Sequence, residues 1–361
     1  MSPAELVGYA YPWDAGDRLA RVLDELAPHR LAVAGLYHAV RAASFADGVP
    51  RVVDAWHAAS YLGTSRWRDA AIRPLPPSGW ASGDAFGRTS ELARSRGIAV
   101  DAWLVLTHLD GSTGREHFAV DASGTTLHHT VCHAGTGMRE HARAAVLAAA
   151  DAGSDGIVLE AIASLGADHP VGHDKTASLR RSATVRRFAS WCFCDDCRTR
   201  RGDAGERLRS VVDDVLTGRV DPGTPDAVAA AASLVLERLA TLRVLVAELA
   251  ATARDAGIER IAAFVTAAPD AFSPALPLLA LPEGAVDTAI VPAWGPPAAA
   301  AEELGIVTRR SGVRTGAYVS VLPESGIHRS TRAEAERLGA DELHLYHLGL
   351  ADDEVLRAWR P

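Results

Sequence analysis

Short runs of apolar, β-branched residues alternate along the chain with longer stretches in which Ala and Leu recur at helical spacing. This is the pattern of a parallel α/β fold. Eight runs read as strands: Glu5–Tyr11, Arg30–Tyr37, Ile98–His108, Asp155–Ala161, Arg260–Thr266, Val286–Trp294, Arg314–Val321 and Glu342–Leu350. Stretches such as Gly156-Ile157-Val158-Leu159 and Ala317-Tyr318-Val319-Ser320-Val321 are nearly continuous in apolar residues, as strands covered on both faces must be. Helical patterns fall between them, over Arg18–Leu26, Gly83–Arg96, Met138–Ala152, Asp226–Ala256, Pro297–Leu304, Thr331–Leu338 and Asp352–Trp359. Gly97, Gly153, Gly257 and Gly339 each stand just before a strand, where a helix-terminating glycine feeds an αβ turn.

Eight strands with interleaved helices are the arithmetic of a (β/α)8 TIM barrel. An open doubly wound sheet is the alternative, but no G-x-G-x-x-G follows the first strand. A chain of 361 residues could hold two domains, yet barrels of this length are commonly one, so a single TIM-barrel domain over residues 1–361 is expected. Two connections are unusually long and therefore candidate functional segments. One spans Val40–Ser82 after strand two and holds Pro74, Pro76 and Pro77; the other spans Ile162–Val220 after strand four. Asp221-Pro222-Gly223-Thr224-Pro225 reads as a turn before a long helix.

A net charge of −8 argues against a nucleic-acid surface, which needs basic patches. No uncharged apolar stretch is long enough to span a bilayer, and Met1-Ser2-Pro3-Ala4-Glu5-Leu6 lacks a basic, then apolar, leader. A cytoplasmic protein is expected. Lys175 is the only lysine, in a chain that otherwise uses Arg.

The four cysteines are Cys132, Cys192, Cys194 and Cys197, the last three in the run Cys192-Phe193-Cys194-Asp195-Asp196-Cys197. The count suits a tetrahedral four-sulfur zinc site, and reduced cytoplasmic thiols favour metal over disulfide. Four unrelated buried thiols are the bland alternative. His133 could stand in for Cys132, with His128 and His129 nearby.

In barrels the chemistry gathers at the C-terminal strand ends. Read that way, the chain presents Tyr9, Tyr11 and Trp13 after strand one, Tyr37, His38 and Arg41 after strand two, and Thr107 and His108 after strand three. It adds Glu160 at strand four, Thr266 and Asp270 at strand five, Trp294 at strand six, Ser320 and Glu324 at strand seven, and Tyr346 and His347 at strand eight. Aromatic faces, histidines, an Arg and carboxylates on one rim suit a small saccharide, although each alone could be ordinary core. Glu160 stands out because it ends an apolar strand, where a carboxylate is costly unless partnered or facing a pocket. Partial burial would raise its pKa, as an acid catalyst needs; a salt bridge with Arg41 or Lys175 is the structural alternative. Glycosidic cleavage also needs a second carboxylate, for which Glu324 and Asp270 are the candidates. The loop after strand four carries His169, His173, Asp174 and Lys175, read as substrate-facing, with a catalytic metal as the minority reading.

A Cys before strand four followed by C-x-C-x-x-C after it resembles the zinc cluster of the barrel β-galactosidases of glycoside hydrolase family 42. The strand Asp155-Gly156-Ile157-Val158-Leu159-Glu160 followed by that run is also similar to glycosidase-like barrel proteins of actinobacteria rich in alanine. The specific resemblance covers Cys132–Cys197. It implies a structural zinc on the four cysteines and an acid/base role for Glu160. The family's Asn before that Glu is Leu159 here, and strand seven carries no carboxylate in its run, so the nucleophile transfers to no residue. Three functions follow: a glycoside hydrolase, a saccharide-binding barrel without turnover, or a metal-dependent hydrolase or lyase using His108, His169 or His173. The sequence leaves the oligomeric state open.

Overall fold

The computed structural model describes residues 4–46, 48–81, 83–169, 175–176, 182–322, 331–351 and 353–360. All eight predicted strands form. They are β1 (Glu5–Ala10), β2 (Arg30–Tyr37), β3 (Ala99–Val105), β4 (Gly156–Glu160), β5 (Arg260–Thr266), β6 (Thr288–Pro292), β7 (Arg314–Ser320) and β8 (Glu342–Tyr346). Each pairs in parallel with the next, and β1 pairs with both β2 and β8, so the sheet closes into a (β/α)8 TIM barrel. Closure leaves no sheet edge, which is why runs of this composition need no polar face toward solvent.

The helices are α1 (Asp17–Leu26), α2 (Ala85–Arg94), α3 (Thr136–Asp151), α4 (Ala183–Ala189), α5 (Asp195–Arg201), α6 (Asp203–Leu216), α7 (Pro225–Asp255), α8 (Pro297–Ser311), α9 (Arg332–Glu336) and α10 (Asp353–Arg357). Gly97, Gly153, Gly257 and Gly339 all take positive φ, between 70° and 82°, where an L side chain would be strained. No described helix is long and apolar enough to cross a membrane.

The long connections carry structure that local periodicity does not announce. Val40–Ser44 pairs with Arg51–Ala55 as an antiparallel hairpin after β2, and Phe118–Val120 pairs with Thr126–Val131 after β3. After β4 come α4, α5 and α6. Phe188, Trp191, Phe193, Val212 and Val215 pack there with Ala227 and Leu234 of α7 into a cluster of their own. The same helix sends Leu242, Leu245, Val246 and Leu249 into the main core, so α7 serves both.

Inside the barrel the strand ends nearest the N-terminal face carry charge. Asp101 and Glu342, both essentially unexposed, are bridged by Arg260; Arg30 adds a 2.6 Å contact to Asp101 and Arg314 a 3.3 Å contact to Glu342. Such charges are tolerated inside only as a paired and hydrogen-bonded set. Above them, His344 accepts or donates between Glu342 (3.0 Å) and the Tyr9 hydroxyl (3.0 Å). A Cβ at Gly316 would lie 2.5 Å from His344 Nε2, so that strand position needs glycine to admit the ring.

Candidate active site at the C-terminal face of the barrel

β4 ends in Glu160, and its neighbours fix where the carboxyl points. Leu106 N–H donates to the Glu160 carbonyl (3.0 Å), Thr107 N–H to the Ala161 carbonyl (2.8 Å), and Ala161 N–H to the Pro274 carbonyl (2.8 Å). Ala161 itself has φ of 49°, left-handed for a residue with a side chain, a strained turn held by these bonds directly after the carboxylate. Trp103, on the same inward face of β3 as Asp101, donates its indole N–H to Glu160 Oε2 at 2.7 Å. Burial pushes the Glu160 carboxyl up to about 7, against the opposing pull of the Trp103 hydrogen bond.

Glu160 lines a cavity of about 470 Å³. Its walls are the aromatic side chains of Tyr37, Trp56, Trp103, Trp294, Tyr318 and Tyr346, with His38, His108, Asp110 and His169 on one side. Trp103 meets Tyr37 edge-on with centroids 4.7 Å apart, and Tyr318 lies 5.2 Å from Trp294 and 5.4 Å from Tyr346. The rings hold one another, so the wall is preorganised. The indole N–H of Trp294 has no hydrogen-bond partner among the described residues, and Trp56 stands 67% exposed at the mouth. Burial and His108 act oppositely on Asp110; the pairing prevails and its carboxyl lies below the usual range.

Of the residues singled out in the sequence, Glu160, Tyr37, His38, His108, Trp294 and Tyr346 meet at this cavity, as does His169. Tyr9 and Tyr11 lie just beneath, fully buried; Tyr9 packs on Trp103 at 5.0 Å and Tyr11 on Tyr37 at 5.4 Å. Trp13 stacks on Tyr11 and lines a neighbouring cavity. Arg41, in the hairpin after β2, and Lys175 are exposed. The side chain that bonds Glu160 is the Trp103 indole, in place of either cation. Asp270 pairs with Arg187 at 2.5 Å and lines a different cavity with Asp168 and Arg186. His173, Asp174 and Glu324 lie outside the described residues.

Sequence reasoning missed Trp103, Tyr318, Asp110 and Trp56. The first two sit inside strands, not at their ends. The signal was available: stepping by twos from the strand ends puts Asp101, Trp103 and Val105 on one face, and Gly316, Tyr318 and Ser320 on another. Asp110 and Trp56 lie in connections, where no period marks orientation.

The four cysteines are buried, and one sulfur from each lies within 4.8 Å of the others, so the group could bind a metal. Its surroundings are donors. Val120 and Cys194 N–H point to Cys192 Sγ at 3.4 and 3.5 Å, and Arg200 Nη2 lies 3.6 Å from Cys197 Sγ. Hydrogen bonding from the neighbouring thiols drives Cys197 far below its ordinary value. His133 instead bonds Ser164 Oγ at 2.8 Å.

No protein-family model matches the chain, and no curated protein matches it in sequence. Among solved structures, the catalytic domain of a β-amylase from Paenibacillus polymyxa superposes with a TM-score of 0.58 at 8% identity, covering 99% of this chain and 98% of that one. An exo-β-N-acetylglucosaminidase from Vibrio harveyi gives 0.47 at 8% identity, over 99% of this chain and 54% of that one. A chitinase from Chromobacterium violaceum gives 0.42 at 12% identity, over 99% and 98%. The first of these agrees with the strand pairing: the fold is that of a (β/α)8 TIM barrel.

Proposed function

We propose that the chain is a glycoside hydrolase acting on a small saccharide, with Glu160 as the proton donor. The observation that carries this is the placement of the Glu160 carboxyl, which burial pushes up to about 7, inside an aromatic-walled cavity at the C-terminal face of the barrel. A glycosidic leaving group needs a proton as the bond breaks, and a carboxyl poised near 7 can both hold and release one. Aromatic faces suit the apolar face of a sugar ring, and the Trp294 N–H offers a donor for a hydroxyl. Asp270 is tied to Arg187 in another cavity, which favours Glu324, following β7, as the second carboxylate. Fold likeness to the β-amylase adds support by analogy only.

The cysteine cluster is proposed as a structural zinc site. Four sulfurs fill the coordination of zinc and leave no open position for chemistry. The arginine and amide donors around the sulfurs suit anionic thiolates. The metal would tie the segment after the hairpin, at Cys132, to α5, whose buried residue is Cys197 itself.

Purified wild type and Glu160→Gln, screened against aryl glycosides and disaccharides, test the activity. Release by wild type that falls about 10²–10⁴-fold in the variant, with the fold intact, is the expected result. An equal rate in both proteins refutes the role. Saccharide binding without turnover by either protein would favour the non-catalytic barrel.

A further inference from the structure

We propose that His38, His108 and Asp110 form a second metal site, for a divalent first-row transition ion, in the wall of the Glu160 cavity. One donor atom from each of the three lies within 4.8 Å of the others. With metal–nitrogen bonds of about 2.0–2.1 Å, tetrahedral ligand atoms stand about 3.4 Å apart, so closure asks for side-chain movement of about 1 Å.

Local bonding fixes the tautomer of His38. His38 Nδ1 donates to the Ala39 carbonyl at 2.6 Å, which places the proton on that nitrogen and leaves Nε2 a lone pair. A metal-bound imidazole is commonly oriented in this way, by a carbonyl on its other nitrogen. The Ala39 N–H reaches Asp110 Oδ2 at 3.4 Å, so one peptide segment orients two of the three donors. His108 supplies the independent observation. It is 6% exposed, and its Nε2 lies 3.1 Å from Asp110 Oδ2 yet makes no aligned hydrogen bond. The imidazole nitrogen and the carboxylate oxygen thus converge on the same space without the alignment of a hydrogen bond, as two ligands of one ion would. The two imidazoles stack at 4.3 Å with planes 13° apart.

Two imidazoles and one carboxylate select zinc, cobalt, nickel or iron over magnesium or calcium, which prefer oxygen donors. Three protein donors leave coordination positions open, and all three residues line the cavity. A bound water or a substrate oxygen would complete the sphere. This inference is independent of glycosidase activity.

The test is calorimetric titration of Co²⁺ into full-length protein whose cysteine site is filled with zinc, followed by visible absorption. Wild type should take one further equivalent, with weak d–d bands and no intense sulfur charge-transfer band. His38→Ala and Asp110→Asn, both on half-buried side chains, should weaken Co²⁺ binding by more than about 100-fold, beyond the 10–100-fold lost with a supporting residue. Their melting curves check the fold, and Glu160→Gln should bind Co²⁺ as wild type does. Absence of a second equivalent, or binding in His38→Ala equal to wild type, overturns the proposal.

Discussion

Glu160→Gln should stabilise the protein at alkaline pH and leave its stability unchanged in acid. Folded Glu160 holds its proton up to about 7, whereas the unfolded chain releases it near the ordinary 4.5. Below 4.5 the group is protonated in both states and costs nothing. Between 4.5 and 7 only the unfolded state ionises, so stability falls as pH rises. Above 7 the folded state must carry a half-buried carboxylate, and the full penalty is present. At about 1.4 kcal/mol per tenfold change in proton affinity, the displacement is worth on the order of 3 kcal/mol. Gln keeps the shape and an acceptor for the Trp103 N–H but cannot ionise. Asp14, whose carboxyl burial also pushes up to about 7, is present in both proteins and cancels in the difference. Urea denaturation of both proteins at pH 4.5 and pH 8.5 measures it: near-equal stabilities at the first, and the variant ahead by 2–3 kcal/mol, roughly, at the second. A difference that is the same at both pH values would refute the placement of Glu160 as a proton-retaining carboxyl.

Trp103→Phe removes the N–H that stabilises the ionised carboxylate. The alkaline limb of the activity profile should move up by about one to two pH units, from a charged hydrogen bond of roughly 1.5–3 kcal/mol; an unmoved limb would show that another group sets it. Cys194→Ser should abolish zinc in the purified protein by elemental analysis and lower the melting temperature, and full zinc with unchanged melting would remove the cluster as a metal site. Arg260→Met leaves Asp101 and Glu342 without their shared cation, so denaturant unfolding should show a loss of about 3–5 kcal/mol, reduced by what Arg30 and Arg314 still supply. A loss under about 1 kcal/mol would mean that water, not the guanidinium, satisfies those carboxylates.

The chain order of apolar runs and breakers determined the barrel. Arg30–Tyr37 and Arg260–Thr266 appear in the structure with the limits the sequence predicts, because a strand buried on both faces must be apolar throughout and must end where charge or glycine begins. Glu160 was legible for the same reason: a carboxylate closing an apolar run contradicts its surroundings. The cysteine cluster showed in spacing alone, since three of its members are neighbours in the chain.

Only the tertiary structure decided who meets Glu160. Its partner, Trp103, is 57 residues away, and the barrel brings them together through the β3–β4 register that pairs Trp103 with Val158. The hairpin at Val40–Ser44 and Arg51–Ala55 turned Arg41 outward, because its pairing is set by the partner strand rather than by position after β2. Asp110 and His108 joined His38 through loops whose course depends on long-range backbone bonds, such as Ala58 N–H to the Asp110 carbonyl at 2.7 Å. Local sequence sets hydrophobic period and chain reversal; contacts between distant segments are set by closure of the whole barrel, which no single segment encodes.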